Sequence, residues 1–585
     1  MSLPQRTHAG AIVQECNQFR RTVMLAGLAL LAIALIRTAW LSDDAYISFR
    51  TADNILHGYG PVWNTGERVQ AYTHPLWLAI CTSAFAVTGD VFYTAIGLTI
   101  VLTIAGALLM AKRLAIGSSN LFVCFAAMLS SKAFIDFSTS GLENALSHFL
   151  LLLFVWRWWT EPHGSRRLQR LSALAGLCLL SRLDLVFLVV PALAVEGWRV
   201  GPRASVRPLV IGLLPVVAWE AFSLFYYGTP LPNTAYAKLN TVMPASLRLE
   251  RGLDYYYQTL VRDPATLPVI ALALVSLAGR GLRRDWPLLA GIGLILLYIL
   301  RVGGDFMMGR FLTAPFVVAV AVVARSEWIL SWRRALAVAT ATLMIGLLAP
   351  WEPALVSGFG YSYVNNLLHG RRTREPSDNM QYLVIRGIND ERRFYYEFAG
   401  LLKARPGKML PEHMWSRDGS ELRERGVRVA VRANIGLVGY FAGPGVHIVD
   451  PYALSDPLLA RIPGGLPDPD MGHHRRVVPV GYLETLETGV NQLGDPDLAV
   501  YYDSLRTVIA GPLWSARRLT TLVSFLTGRY DDYLSRYVSR ATLAHDLAHG
   551  GRGRPMGDSC DSTGRPRLAR QSVVSTSWPG GRSPQ

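Results

Sequence analysis

The protein is a chain of 585 residues that is rich in apolar side chains and poor in charged ones. Hydrophobic residues make up 51% of the sequence and charged residues 17%, whereas about a quarter of the residues are charged in a typical soluble protein. The net charge of +16 fits basic loops beside anionic lipid, and the sequence lacks the soluble basic module with stacking aromatics that nucleic-acid binding needs. The composition therefore predicts a polytopic membrane protein that contacts lipid and no nucleic acid.

Apolar runs place the expected membrane spans within the first 350 residues. About 20 residues of helix cross the hydrocarbon of a bilayer, and an open extended backbone cannot. The predicted spans are 22–40, 76–89, 91–111, 119–134, 145–159, 171–197, 207–226, 266–280, 286–301, 311–325 and 335–350. Several runs are short, so we expect about eleven spans, within a range of roughly ten to twelve.

The charges around the first span predict its orientation. Arg6, Arg20 and Arg21 precede it, and such residues stay on the cytoplasmic side. In a bacterial inner (plasma) membrane, residues 1–21 would then be cytoplasmic and the loop 41–75 periplasmic.

The run 171–197 has a second interpretation. It contains Ser-Arg-Leu-Asp at its centre, at 181–184, and ionisable residues are unfavourable in the middle of a bilayer. Two short helices that meet at this tetrapeptide are therefore the alternative to one span.

The character of the sequence changes at about residue 351. Gly, Pro, Arg and Asp become common over 351–549, which predicts a C-terminal soluble domain. Within it, residues 428–450 have the pattern of a strand, a glycine-bounded helix and a second strand, typical of a small α/β unit. An odd number of spans would make this domain periplasmic. Residues 550–585 are rich in Gly, Pro, Ser and Arg and are predicted to be a disordered tail.

Two adjacent carboxylates, Asp43 and Asp44, follow the first span directly. Mutual repulsion and burial near lipid raise the pKa of at least one of them, which suits a general base near neutral pH. Moving a sugar from a phosphate-linked carrier to a hydroxyl needs such a base, and also a cation or metal to stabilise the departing phosphate. The equally weighted alternative is structural, with Ser42 or Asp43 capping a helix whose dipole favours both carboxylates.

A series of segments in colinear order carries a family resemblance. The segments are DDAYISFRTADNILHGYGPVWNTGERVQAYTHPLW from Asp43, STSGLE from Ser138, SRLD from Ser181, YYGTPLPNTAYAK from Tyr226, GGDFMMGRF from Gly303, and VDPYALSDPLLARIP and GHHRRVVPVGY in the C-terminal domain. They resemble the GT-C superfamily of membrane glycosyltransferases, most closely the terminal (β-1,2) arabinofuranosyltransferase family of actinobacterial cell-wall synthesis. The resemblance implies an α-helical GT-C fold over 22–350, roofed by the C-terminal α/β domain.

The acidic pair is the catalytic signature of that family. The resemblance therefore implies Asp43 as the general base and Asp44 as the group that orients it or a metal. The implied reaction transfers a sugar, most simply arabinofuranose, from a polyprenyl-phosphate donor to an envelope glycan or glycoprotein acceptor. It takes place on the periplasmic side and inverts the anomeric centre in one displacement. Ala45 and Tyr46 stand where some arabinosyltransferases have glycine, which leaves the donor sugar open.

The sequence does not identify a cofactor. A divalent cation at Asp43 and Asp44 is left open, and no cluster of cysteines and histidines predicts zinc.

Seven further residues are candidates for binding donor phosphate or substrate: Arg50, His74, Glu143, Arg182, Lys238, Asp305 and Arg310. Asp305 and Arg310 lie in a glycine-rich segment, where they offer a carboxylate and a guanidinium that can bind phosphate bidentately. The alternative is a plain turn between helices with an ion pair at the surface. For Lys238 the alternative is a snorkelling lysine. For His74 the alternative is a histidine at the membrane interface that precedes the proline at the start of a helix.

Two of these candidates have structural interpretations of at least equal weight. Glu143 follows a Ser-Gly turn, where its charge would complement a helix N-terminus, and Arg182 would pair with Asp184. In the C-terminal domain three residues are predicted to face the acceptor: His473, His474 and Arg475. An ordinary basic surface loop is the alternative for these three.

Two other functions are compatible with the sequence. A transporter or flippase for lipid-linked sugars would also have many spans and charges within the membrane, and inverted repeats would indicate it. A non-catalytic envelope assembly protein would have no need of the acidic pair.

Overall fold

A computed structural model describes residues 4–240, 243–276, 282–347, 384–405, 407–464 and 472–548. By internal contacts, Met1–Leu534 form one unit and Ser535–Gln585 a second. We call residues 4–347 the helical part and residues 384–534 the C-terminal part. The predicted domain boundary near 351 and the predicted tail 550–585 lie outside the described residues.

The protein is mostly helical. The helices of the helical part are Pro4–Thr38, Asp43–Leu56, Pro75–Thr88, Phe92–Leu109, Ser118–Ser130, Lys132–Phe137, Asn144–Thr160, Ser165–Ser181, Val186–Val200, Pro202–Tyr226, Asn233–Leu239, Ala245–Arg262, Thr266–Ser276, Leu282–Val302, Thr313–Val323 and Trp332–Leu347. The helices that follow are Glu391–Ala399, Met414–Glu424, Ile435–Ala442, Tyr482–Thr488, Pro496–Ala510, Ala516–Leu526 and Asp531–Ala548. The strands are Val384–Ile385, Ile388–Asn389, Val429–Val431 and His447–Val449.

Helices occupy the apolar runs that were predicted to span the membrane. Among the described residues, four helices are long and apolar enough to cross a bilayer: Asn17–Thr38, Phe92–Leu114, Pro202–Tyr226 and Asp285–Val302. Three more are apolar but shorter: Pro75–Thr88, Ser118–Ser130 and Arg310–Val323. The membrane character is therefore confirmed, and the number of about eleven spans stays a prediction.

The run 171–197 is two helices, as the alternative interpretation predicted. The helix Ser165–Ser181 ends at Arg182, whose backbone is extended, and Val186–Val200 begins after one short turn. The break allows the Arg182 guanidinium to reach the carboxylates of Asp184 and Glu143. A continuous helix would have left these charges in an apolar run.

One amphipathic helix of the helical part was not predicted. Ala245–Arg262 meets the apolar helix Thr266–Val275 at an angle of 99°. Its exposed side carries an apolar stripe that includes Leu253 and Tyr257, which are 57% and 62% exposed. If the apolar helix crosses the bilayer, this geometry places Ala245–Arg262 along the membrane surface.

The predicted strand, helix and strand of the C-terminal part are confirmed. Val429–Val431 pairs in parallel with His447–Val449, and the helix Ile435–Ala442 connects them. A parallel pair requires such a crossover connection. The connecting helix packs against Asp43–Leu56 of the helical part, which brings its N-terminus to the acidic pair.

Two further contacts join the helical part to the C-terminal part. Asn389 exchanges backbone hydrogen bonds with Phe306 and Met308, with N–O distances of 2.7 and 3.0 Å. A buried ionic cluster lies nearby, in which Lys132 contacts the carboxylates of Asp136 and Asp390 and Arg392 contacts Asp136. These contacts fix residues 389–392 on the helical part beside the cavity described below.

Candidate active site

The helix that carries the acidic pair begins with a side-chain cap. The backbone amide of Ala45 donates to the Ser42 hydroxyl at 3.3 Å, so the structural interpretation is correct for Ser42. Tyr46 and Phe49 are buried on the inner side of this helix. Because Ser42 supplies the cap, the carboxylates of Asp43 and Asp44 remain available for other partners.

Asp43 binds the N-terminus of the helix Ile435–Ala442. The amide of Leu437 donates to Asp43 Oδ1 at 2.7 Å, and the amide of Gly436 donates to Oδ2 at 3.1 Å. Burial raises the pKa of Asp43 to about 7, and the two amides oppose that shift. Both oxygens are therefore engaged in holding the C-terminal part, an arrangement that the helix dipole favours.

Asp44 faces a cavity of roughly 200 Å³ that both parts of the chain line. Its carboxylate accepts no hydrogen bond from any described residue. Burial raises the pKa of Asp44 above its usual value, while Arg310 and Lys238 lower it. The walls of the cavity also include Asp43, whose oxygens are engaged by the two amides, and Phe306, Glu391, Trp415, Asn434 and His473. Of the two aspartates, Asp44 is thus the one free to meet a substrate.

Four of the predicted phosphate-binding residues form one buried cluster around Glu143. Its Oε1 accepts hydrogen bonds from Arg310 at 3.0 Å and Arg182 at 3.2 Å, and its Oε2 lies 3.2 Å from His74 Nδ1. Burial raises the pKa of Glu143, but the nearby positive charges outweigh it and bring the pKa to about 2. Arg182 also binds Asp184 bidentately at 2.9 and 2.6 Å, which confirms the predicted pairing.

Within this cluster, Arg310 keeps hydrogen-bonding capacity. Its buried Nε–H has no partner among the described residues, while Nη2 donates to Glu143. An unpaired buried donor is unfavourable unless a ligand or water satisfies it. Arg310 is therefore suited to bind an anion.

A hydrogen bond ties the cluster to the acidic pair. His74 Nε2 lies 2.7 Å from the hydroxyl of Ser48, which is one helical turn after Asp44. Burial and the nearby arginines lower the pKa of His74, against the effect of Glu143. A neutral imidazole thus fixes the helix Asp43–Leu56 relative to Glu143.

The remaining two candidates of this group lie near Asp44 without touching it. Asp305 is buried, and its Oδ2 has no hydrogen-bond partner among the described residues. Lys238 is exposed, and its charge lowers the pKa of both Asp44 and His473. Both contribute to the electrostatics of the cavity.

Arg50 does not belong to this cluster, and its prediction as a phosphate binder is corrected. Its guanidinium is buried and donates to the carbonyl oxygens of Trp63, Gly439 and Val446 at 2.8, 2.8 and 2.9 Å. It also lies over the Trp63 ring, 4.2 Å from the centroid. Since the guanidinium is enclosed by protein groups, Arg50 joins the helix Asp43–Leu56 to the C-terminal part.

Of the three predicted acceptor-side residues, His473 lines the cavity. Its ring packs edge-on against Phe306 and Tyr452, with centroid distances of 4.4 and 5.0 Å. Burial, Lys238 and His474 lower the pKa of His473 to about 3, so it is neutral. His474 is buried and Arg475 is exposed, and neither lines the cavity. The acceptor-facing role of these three residues stays a prediction.

Glu391 lines the same cavity and was missed by the sequence analysis. Burial raises its pKa well above the usual value, and Asp44, Asp305 and Asp43 raise it further. The raised pKa favours the protonated form of the carboxyl group, which can donate a hydrogen bond. The local sequence shows only an ordinary helix start after Asp390, so no sequence signal pointed to this role.

The described residues provide few ligands for a metal ion. Among the described residues there is no group of three or more His, Cys, Asp or Glu side chains that could hold one. Since both Asp43 oxygens accept backbone hydrogen bonds, the pair is poorly suited to ligate a divalent cation. A cation at Asp43 and Asp44 stays a prediction.

Replacing Gly436 with alanine is expected to loosen this site. A Cβ at Gly436 would lie 1.8 Å from the backbone oxygen of Asp43, so the connecting helix would have to move away. Overpacking of this kind destabilises proteins by about 1–3 kcal/mol or more, and the thermal unfolding midpoint measures it. Gly445→Ala is the control, because its Cβ would meet no atom within 4 Å. Equal stability of the two variants would contradict the tight contact with Asp43.

Comparisons with known proteins identify relatives of the chain. No family profile matches it, and no solved structure is significantly similar to it. The terminal β-(1→2)-arabinofuranosyltransferase of Mycobacterium tuberculosis is 30% identical over 410 residues, covering 62% of this chain and 63% of that protein. The protein of the same name from Corynebacterium glutamicum is 29% identical over 332 residues, covering 47% of this chain and 46% of that protein.

The chain is similar to these two terminal β-(1→2)-arabinofuranosyltransferases. The family resemblance predicted from the sequence is thereby confirmed. The chain spans less than two thirds of the length of either relative.

Proposed function

We propose that the chain is a GT-C type glycosyltransferase. It transfers a sugar, arabinofuranose by analogy with its curated relatives, from a polyprenyl-phosphate donor to a hydroxyl of an envelope glycan or glycoconjugate on the periplasmic side. The observation that carries the proposal is the cavity lined by Asp44, with Arg310 near enough for its charge to lower the pKa of that carboxylate. This pairs a proton acceptor with an anion site.

The donor phosphate would bind at Arg310. The unpaired Nε–H of this arginine and its partly exposed guanidinium provide a charge-assisted donor for a phosphate oxygen. Arg182 lies on the other side of Glu143, and Lys238 adds positive charge to the cavity. Because these charges stand in place before the reaction, they stabilise the negative charge that develops on the departing phosphate.

Asp44 is the general base of the proposed reaction. It accepts the proton of the acceptor hydroxyl while the acceptor oxygen bonds to the anomeric carbon. The bond between that carbon and the phosphate oxygen breaks, and its electron pair leaves with the polyprenyl phosphate at Arg310. A single displacement inverts the anomeric centre, so comparing the anomeric configurations of product and donor by NMR tests this step.

Asp43 has a positioning role in this proposal, in place of the base role that the family resemblance implied. Its two oxygens hold the helix Ile435–Ala442, and Asn434, the residue just before that helix, lines the cavity. Glu391, as a neutral acid, donates a hydrogen bond to a hydroxyl of donor or acceptor.

The rate of transfer is expected to rise with pH. Because burial raises the pKa of Asp44 above its usual value, part of the population is protonated and inactive in acidic buffer. The carboxylate that accepts the proton forms as the pH rises through the raised pKa. Initial rates from about pH 4, near the usual pKa of an aspartate, to about pH 9 check this. A wild-type rate that does not fall towards the acid end would contradict Asp44 as the base, and the residual rate of Asp44→Asn should lack the rise.

The Arg310→Met variant tests the phosphate site. Loss of a charge-assisted hydrogen bond is expected to weaken binding of polyprenyl phosphate by about 10- to 100-fold, as measured by equilibrium binding to protein in nanodiscs. Arg301→Met is the control, because Arg301 is exposed at the end of the helix Leu282–Val302. Unchanged affinity in the Arg310 variant would place the phosphate elsewhere.

A further inference from the structure

The helix Ala516–Leu526 of the C-terminal part has three distinct sides. Arg518 and Leu522 are buried against the protein. A second side carries an apolar stripe of Leu519, Val523 and Leu526, which are 36%, 59% and 53% exposed. The remaining side is polar and consists of Arg517, Thr520, Thr521 and Ser524. The exposed stripe follows the i, i+4, i+7 spacing of one helix face, so it is a continuous apolar strip beside a polar one.

This helix is fixed to the end of a membrane-spanning helix. Arg518 donates to the carbonyl oxygens of Phe225 and Tyr226 at 2.7 and 3.1 Å, the last residues of Pro202–Tyr226. The ring of Trp514, just before the amphipathic helix, lies 4.7 Å from that of Phe225 and is 80% exposed.

The spanning helix is itself open to lipid. In the 18-residue stretch of Pro202–Tyr226 that is apolar enough to cross a bilayer, only 11% of the residues are buried inside the protein. Its exposed residues include Val210, Leu214 and Val217, each more than half exposed. Because the amphipathic helix is bonded to the end of this lipid-facing surface, its apolar stripe adjoins the boundary between hydrocarbon and water.

We infer that the helix Ala516–Leu526 lies in the membrane surface, with Leu519, Val523 and Leu526 inserted at the level where lipid headgroups meet acyl chains. Trp514 lies beside it, as tryptophan does at such boundaries, and Arg517 on the polar side contacts anionic headgroups. The continuity of the stripe with the lipid-facing helix is what selects lipid as the occupant, since an isolated apolar stripe would fit a protein partner equally well.

The consequence is that the C-terminal part contacts the bilayer directly, in addition to its contacts with the helical part. The composition predicted that these residues form a soluble domain, but through this helix the domain binds the membrane surface. The inference concerns membrane contact and does not depend on the proposed transfer reaction.

Spin labels on two sides of the helix test the inference. Val523→Cys places a label on the apolar stripe, and Thr520→Cys places one on the polar side of the same helix. Cys16 and Cys560 are first changed to serine, while the native Cys81, Cys124 and Cys178 are buried. The intact chain is reconstituted in nanodiscs that contain anionic lipid. Collision with oxygen, which dissolves in hydrocarbon, is compared with collision with a water-soluble nickel complex.

The label at 523 is expected to collide several-fold more with oxygen than with nickel, and the label at 520 is expected to show the reverse. Equal access of both labels to nickel would overturn the inference, because the stripe would then face water. Protection of the 523 label from both reagents would also overturn it, since a protein would cover the stripe. Spin–spin broadening at 523 would identify that protein as a second copy of the chain.

Discussion

Replacing Asp44 with asparagine is expected to lower the rate of sugar transfer by about 10²- to 10⁴-fold. The amide keeps the size of the side chain but cannot accept the proton of the acceptor hydroxyl. Because no described residue donates a hydrogen bond to Asp44, the substitution breaks no hydrogen bond and the protein should remain folded. Initial rates with saturating donor and the thermal unfolding midpoint measure the two effects separately.

Two control variants sharpen this prediction. Asp53→Asn changes an acid on the same helix that pairs with His57 at the surface, and it should leave the rate unchanged. Asp43→Asn weakens the bonds to Gly436 and Leu437, so it should lower stability as well as rate. A folded Asp44→Asn variant with wild-type activity, or an Asp43→Asn variant that loses only the chemical step, would return the base role to Asp43.

Replacing Lys132 with methionine is expected to lower the free energy of unfolding by about 3–5 kcal/mol. Lys132 contacts the carboxylates of Asp136 and Asp390, and all three side chains are buried. Removing the ammonium leaves two buried carboxylates with Arg392 as the remaining cation in contact with Asp136. Since Asp390 and Glu391 line the cavity, transfer should fall together with stability. Unfolding in detergent, followed by tryptophan fluorescence, measures the change.

The matched control is a lysine at the surface. Lys403 pairs with Glu397 at 2.7 Å, and both side chains are partly exposed. Exposed pairs contribute about 0–1 kcal/mol, so Lys403→Met should unfold almost as the wild type does. A Lys132 variant as stable as the Lys403 variant would show that the buried cluster does not hold the C-terminal part in place.

The positions of the helices could be predicted because lipid leaves the backbone few alternatives. A run of apolar residues in a bilayer must be helical to satisfy its hydrogen bonds, and each predicted run contains a helix. The break at Arg182 was also foreseeable, because a charge inside such a run is unfavourable unless the helix ends there. Strand and helix periodicity likewise predicted the segment from Val429 to Val449.

The roles of individual charged residues depended on contacts that no local pattern encodes. Asp43 and Asp44 are neighbours in sequence and both line the cavity. Asp43 binds two amides almost 400 residues away, whereas Asp44 has no hydrogen-bond partner among the described residues. Arg50 and Arg310 both lie within segments that resemble the family, but Arg50 is enclosed by carbonyl oxygens. The sequence could propose the set of candidate residues, and the packing of the C-terminal part shows which of them line the cavity and which join the two parts of the chain.

The most direct test of the proposed function is transfer by the purified chain in nanodiscs, with synthetic polyprenyl-phosphate donors that carry radiolabelled arabinofuranose or mannose. We expect labelled arabinofuranose to appear on an arabinan acceptor, with release of an equal amount of polyprenyl phosphate and almost no product from the Asp44→Asn variant. Failure to transfer from either donor, by a protein shown to be folded by its unfolding midpoint and to bind polyprenyl phosphate, would contradict the proposal and favour a transport or assembly function.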